Sequence, residues 1–257
     1  MFQRIEFGIK ISIKNFDLLP EIYLNTDVID FIEIILDPKF KSKDIEIIKN
    51  LKLPYAIHFP NSNNGIDFGD KRREKQNNNY IRKINKNIKK LMDLNPICYI
   101  IHPESGDIGL SIDNIKKLKI KPLAIENMPK TSLIEGELIG YDSITLEKYF
   151  KEIESLEFCL DINHAIKASI SKGIGYLNML KELINLKEPI IFHIAGGNFN
   201  IKFDEHLHLD NAEYDIYKIK QFLFDYAKPL KLTFETPRNY EKKIEDDLRN
   251  MRYFIKA

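Results

Sequence analysis

The chain has 257 residues, 44% of them hydrophobic and 30% charged, with 39 basic against 38 acidic side chains and a formal net charge of +1. A chain of this length buries a full core without disulfide staples and falls where an α/β barrel runs as one domain. The balanced charge excludes a global field that would draw the protein onto nucleic acid or an anionic membrane, so any such binding needs a local patch. No apolar run reaches transmembrane length. Cys98 and Cys159 lie inside apolar runs and read as buried thiols, not as a disulfide framework. Met1-Phe2-Gln3-Arg4-Ile5 opens straight into a strand pattern without the apolar core of a signal peptide, so a cytoplasmic location is expected.

In chain order, strand patterns are predicted at Ile5–Ile13, Asp30–Leu36, Tyr55–His58, Cys98–His102, Leu123–Glu126, Glu157–Asp161, Ile190–Ile194 and Lys231–Glu235. Longer amphipathic or polar stretches separate them, with helices expected at Lys75–Leu94, Ile144–Glu154 and Ile216–Ala227. Near-continuous apolar runs such as Phe31-Ile32-Glu33-Ile34-Ile35-Leu36 and Phe158-Cys159-Leu160 suit a parallel sheet covered by helices. Eight strands in alternation with helices predict a (β/α)8 TIM barrel, with residues 1–257 forming a single domain. No linker, low-complexity tract or repeat marks a boundary. Glu33 sits midway along the second strand, where the sequence leaves open whether it points into the barrel or outward.

Ionisable residues gather where these strands end. The third strand ends in His58, the fourth in His102, the fifth in Glu126 and the sixth in Asp161; the seventh carries His193 and the eighth ends in Glu235. In a (β/α)8 barrel all of these ends open on one face, the face that holds the active site. His164 follows three residues after Asp161, and the loop beyond the seventh strand carries Asp204-Glu205-His206-Leu207-His208. All six histidines thus lie on strand ends or the loops directly after them. One such histidine alone is more simply a hydrogen-bonded structural residue, and one such carboxylate a helix cap. Six strand ends in register are another matter, because crowded carboxylates repel one another and are costly to desolvate unless cations sit among them.

Nine candidate ligands, His58, His102, Glu126, Asp161, His164, His193, Asp204, His206 and Glu235, are too many for one ion, so two or three divalent metals are expected. His208 is the weakest candidate, since His206 already completes the Asp-x-His pair. Imidazole and carboxylate without thiolate favour zinc, with manganese or iron as alternatives. Glu126 and Glu235 are the candidate catalytic carboxylates, bridging ions or moving protons.

The motifs His58-Phe59-Pro60, His102-Pro103, Glu126-Asn127, Asp161-x-x-His164, His193, Asp204-x-His206 and Glu235-Thr236-Pro237 resemble those of the xylose-isomerase-like barrels, above all the endonuclease IV (AP endonuclease family 2) branch. The resemblance spans nearly the whole chain in ligand motifs without continuous identity. It implies a trinuclear zinc site and hydrolysis of a phosphodiester, in AP-site DNA or a related substrate, by a metal-bound hydroxide. Three departures touch the substrate side: Asn61 where that family places a DNA-probing aromatic, Met128-Pro129-Lys130-Thr131 in place of a Gly-rich stretch, and Glu205 where Arg is usual. A basic stretch from Lys71 to Lys90 begins on the catalytic side and is expected either to contact phosphates or to form a solvated outer helix. The expected partners are therefore a small phosphorylated substrate or DNA, with no membrane or protein partner indicated.

Two other readings compete. A metal-dependent sugar or sugar-phosphate isomerase or epimerase of the same superfamily would use Glu126, Asp161, His193 and Glu235, with the two glutamates shuttling a proton, and would leave the other ligands without a task. A multinuclear non-haem iron oxidase resembles the segment His193-Ile194-Ala195-Gly196-Gly197 followed by Asp204-x-His206, but those enzymes carry Asn where His164 stands.

Overall fold

The computed structural model describes residues 5–134, 136–225, 230–239 and 243–257. Strands β1 (Ile5–Ser12), β2 (Phe31–Ile35), β3 (Tyr55–His58), β4 (Tyr99–Ile101), β5 (Leu123–Glu126), β8 (Leu156–Asp161), β9 (Pro189–Ile194) and β10 (Leu230–Phe234) close into a barrel. Every neighbouring pair in it is parallel, and β1 seals the barrel against β10, with Gly8 opposite Thr233. Between β5 and the next barrel strand lies a small antiparallel ribbon, β6 (Thr131–Ser132) and β7 (Gly136–Glu137), which the sequence pattern did not predict. Two-residue strands carry too little alternation to be read.

The outer layer comprises α1 (Leu19–Leu24), α2 (Ser42–Lys49), α3 (Glu74–Lys86), α4 (Ile88–Met92), α5 (Ile108–Lys116), α6 (Ser143–Glu152), α7 (Ile162–Lys172), α8 (Tyr176–Leu186), α9 (Ile216–Asp225) and α10 (Glu245–Lys256). The helix expected over Lys75–Leu94 is split at Asn87, which takes φ −101° and ψ 11° while its side chain donates to the Lys83 carbonyl. Such side-chain competition for a helical carbonyl is why Asn is poor inside helices. The first strand stops at Ser12, whose hydroxyl accepts the Lys14 amide and starts a short 3-10 turn. Ala227, the expected end of another helix, lies outside the described residues.

Period-2 alternation divides each strand into a helix-facing and a lumen-facing row. Helix-facing residues such as Ile9, Ile32, Ile34, Ile57 and Ile101 join the main core under the helices. A separate cluster of Phe31, Ala56, Cys98, Ile100, Ala124, Cys159 and Ile191 packs as the floor of the lumen. Both cysteines are therefore buried, unpaired thiols. Each fully buried large apolar side chain contributes about 1.5–3 kcal/mol relative to its exposed state. Two positions further along the same rows the chemistry changes: Phe31 gives way to Glu33, Ala56 to His58, Ile100 to His102, Ala124 to Glu126, Cys159 to Asp161 and Ile191 to His193. The lumen is thus an apolar floor under an ionisable layer, both specified by the strand repeat. No helix among the described residues is long and apolar enough to cross a membrane.

Candidate metal centre

The nine residues singled out in the sequence come together above the lumen floor. His58 and Glu126 are the last residues of β3 and β5, and His102 follows β4 directly. Asp161 ends β8 and also caps α7, its Oδ1 accepting the His164 amide at 2.6 Å, so one carboxylate anchors the helix that carries His164. His193 lies in β9, Glu235 follows β10, and Asp204 and His206 occupy the loop between β9 and α9.

Three groups account for all nine, the first two sharing Glu126: His58, His102 and Glu126; Glu126, Asp161, His193 and Glu235; and His164, Asp204 and His206. Within each group the candidate ligand atoms lie within 4.8 Å of one another. Glu126 belongs to two groups, with Oε2 3.2 Å from His58 Nε2, 3.0 Å from His102 Nε2 and 3.3 Å from His193 Nδ1.

The imidazoles share one arrangement, each with one ring nitrogen committed outward and the other facing carboxylates. The partners make Nδ1 the protonated nitrogen in four of them. His58 Nδ1 donates to the Phe59 carbonyl at 2.7 Å, His102 Nδ1 to Glu104 at 2.9 Å, His164 Nδ1 to the Asn127 carbonyl at 2.8 Å and His206 Nδ1 to the Glu235 carbonyl at 2.8 Å. His193 is turned the other way: Nε2 donates to Glu33 at 2.8 Å, and Nδ1 faces Glu235 at 2.6 Å. Outward partners of this kind fix the tautomer and aim of metal-ligating histidines.

The middle group is incomplete on its own. Glu126 Oε1, Asp161 Oδ2 and His193 Nδ1 are all buried without a hydrogen-bond partner. Each such atom costs about 1–3 kcal/mol, and Asp161 Oδ2 and His193 Nδ1, 4.0 Å apart, fit a cation better than any side chain present. Electrostatics agree. Burial opposes charge on His102, yet Glu126 and Glu104 raise it to about 9. Burial also pushes Asp161 up to about 6, against the pull of His164 and with Glu126 adding to the rise. Without metal the cluster therefore holds protons, which ion binding would release. The residues present fit two or three divalent ions.

Several partners escaped sequence reasoning. Glu33 faces the lumen, accepting Thr233 Oγ1 at 2.9 Å besides His193. Lys10 Nζ stands 3.1 Å from Glu33 and is hydrogen-bonded to Glu235. Glu104 adopts a left-handed backbone (φ 63°) where it meets His102. A charge two residues from an apolar floor position in a strand was the available signal for Lys10 and Glu33; for Glu104 no signal was present.

His208 stands apart from the centre, its Nδ1 accepting from Asn250 at 3.0 Å against α10. The basic stretch serves the scaffold: Arg73 donates to the Ser62 carbonyl, Lys83 to the Pro38 carbonyl while lying 4.2 Å from the Phe40 ring centre, and Arg82 to Asn79. None of residues 71–90 lines the cavity of about 840 Å³ over the centre. Among the described residues, that cavity's lysine and arginine are Lys10 and Arg238, and Arg238 is committed to Asp247 and the Lys10 carbonyl. Asn61, Ser62, Thr131 and Ser132 give its rim a neutral polar character, and Leu133 and Ile134 expose an apolar tip there. A second cavity, of about 730 Å³, lies between α5 and α6 and contains none of the nine residues.

A closed parallel barrel with an ionisable cluster at the C-terminal strand ends defines the class as a TIM barrel. No protein-family model and no curated protein matches the sequence. Among solved structures, endonuclease IV from Thermus thermophilus superposes with a TM-score of 0.70 at 18% identity, over 98% of this chain and 99% of that one. A 3-keto-D-glucoside 4-epimerase from E. coli gives 0.70 at 13% identity over 99% and 100%. A xylose isomerase domain protein from Alicyclobacillus acidocaldarius gives 0.63 at 12% identity over 99% and 100%. These likenesses establish the fold, and the fold neighbours are enzymes.

Proposed function

We propose that the chain is a multinuclear metal-dependent hydrolase that attacks a phosphodiester, with zinc as the preferred metal. One observation carries this reading: the nine residues divide into three groups, two of them sharing Glu126, where a single-ion site would leave His58, His102, His164, Asp204 and His206 without a task. Bound divalent ions would supply Lewis acidity and ionise water near neutral pH. The chain's own contribution is orientation. Glu33, Glu104 and the carbonyls of Phe59, Asn127 and Glu235 hold five imidazoles in fixed tautomers. Glu126 would bridge ions, and Glu235, open to the cavity, would accept or return a proton.

The mouth narrows the substrate. With Lys10 and Arg238 committed to partners, ions rather than side chains would meet the phosphate charge, and the rim is poorly furnished for tracking a long polyanionic backbone. AP-site DNA, which the resemblance in ligand motifs implies, is a substrate to test beside small phosphodiesters.

A second reading, sugar or sugar-phosphate epimerisation or isomerisation, draws on the two glutamates Glu126 and Glu235 meeting at His193 Nδ1 and on the epimerases among the fold neighbours. Elemental mass spectrometry on protein purified without added metal, followed by assays on abasic DNA and an activated small phosphodiester, separates the readings. Two or three zinc ions per chain with phosphodiester cleavage is the expected result. A single manganese with carbon-bound proton exchange on sugars would replace the hydrolase by the epimerase, and two or three irons would replace it by an oxidase.

A further inference from the structure

Helix α7 does more than carry His164. Lys167 lies one turn further along the same face, and its side chain is completely buried. Its ammonium donates to the carbonyls of Asn198 at 2.8 Å and Ile201 at 3.1 Å and to Glu205 Oε2 at 2.5 Å. Glu205 in turn accepts the Asn198 amide at 2.9 Å and the Asn198 side chain at 2.8 Å. The residue between Asp204 and His206 is therefore tied to the helix that supplies the third member of the group. A second tie runs beside it: Tyr214 Oη donates to Asn163 Oδ1 at 2.7 Å, and Asn163 Nδ2 donates to Asp204 Oδ1.

The loop is anchored at its far end by the bridge between Gly196 and Leu207, whose amides donate to each other's carbonyls at 2.8 and 2.9 Å, and these ties anchor its ligand-bearing part. His206 has 42% of its side chain exposed and a left-handed backbone (φ 49°), an unfavourable conformation for a residue with a Cβ. Gly197 permits the close approach: a Cβ there would stand 2.9 Å from Lys167 Nζ and 2.4 Å from Tyr214 Oη.

Building on the three-group reading, we propose that Lys167 and Glu205 are positioning residues that create the His164, Asp204 and His206 site, so that affinity for the third ion is set by this buried pair and can be lost separately from the other two. An ion needs its ligand atoms preset, and among the described residues the Asp-x-His loop is the one ligand-bearing segment of the centre that neither lies in α7 nor lies in or directly follows a barrel strand.

The test is zinc binding to the full chain, measured by competition with a chromophoric chelator and by elemental analysis after dialysis. Wild type is expected to hold three zinc ions. Lys167→Met and, separately, Glu205→Gln are expected to weaken one ion by 10- to 100-fold and leave the other two unchanged. Glu205→Gln keeps the side chain's length and one of the two Asn198 contacts, and so carries the test if Lys167→Met does not fold. Three ions bound with wild-type affinity in a folded variant would overturn the clamp while leaving the three-group reading intact. Two ions in wild type would overturn the third site and the clamp with it while leaving a two-ion hydrolase intact, and one or none would overturn the multinuclear reading as well. A merely structural role predicts a lower melting temperature for the metal-free variant with no selective change at one ion, and that result too would overturn the proposal.

Discussion

Glu33 and His193 stand 160 residues apart in the chain and meet in a 2.8 Å hydrogen bond with neither side chain exposed to solvent. The bond decides which nitrogen of His193 faces the cluster. Thr233 and Lys10 hold Glu33 from the other side, so the carboxylate cannot rotate away. Glu33→Gln keeps the shape but removes the charge that opposes Lys10 and polarises the imidazole. It is expected to lower zinc affinity 10- to 100-fold with the barrel intact by circular dichroism. Wild-type affinity in the variant would show that His193 is aimed by packing alone.

Glu126 is the carboxylate common to two of the groups. Glu126→Gln is expected to abolish turnover on any substrate found and to reduce the number of ions retained after dialysis, with the far-ultraviolet spectrum unchanged. A variant that still turns over would sink the metal-centred account as a whole.

His206 and His208 are two residues apart yet face different surroundings, His206 toward Asp204 and His208 toward Asn250. His206→Ala should lose one ion per chain. His208→Ala should keep all of them and lose about 1 kcal/mol of stability with its hydrogen bond. Paired metal analysis and urea titration check both, and loss of an ion in His208→Ala would place that histidine in the centre.

The lumen floor depends on Gly8, because a Cβ there would lie 2.3 Å from the ring of Phe31, a buried neighbour in the floor cluster. Gly8→Ala is expected to destabilise the fold by about 1–3 kcal/mol through overpacking. Adding Phe31→Leu should recover part of the loss. No recovery in the double variant would locate the strain elsewhere.

Asp67 ties the segment before α3 to Ser105, whose hydroxyl donates to it at 2.5 Å. Burial raises its carboxyl from 3.8 to about 6, the Ser105 hydrogen bond opposing the rise and Glu104 adding to it. The folded chain thus holds this proton more tightly than the unfolded chain. The associated stabilisation is complete below the unfolded value and is lost as pH rises through about 6. Relative to wild type, Asp67→Asn should gain stability as pH increases over that window and hold the gain at higher pH. Parallel thermal melts from acid to neutral pH would contradict this if the two curves stayed a constant distance apart.

How much of this was legible in the sequence follows from what a single strand records. Alternation along Phe31–Ile35 or Tyr55–His58 shows which residues share a face, and a strand's end shows which residue meets the mouth; the eight strands and nine converging residues could therefore be read from local pattern. The first strand ended a residue early where the Ser12 hydroxyl competed for the backbone, and one helix was split where the Asn87 amide did the same. The partners of the cluster could not be read. Lys10 finds Glu235 only because β1 closes the barrel against β10, and Glu33 finds His193 across the lumen. Lys167 likewise finds Glu205 only after the loop beyond β9 folds back over α7. Local periodicity determines which way a side chain points; closure of the chain on itself decides what it meets, because pair energies depend on distances in space that carry no trace in sequence separation.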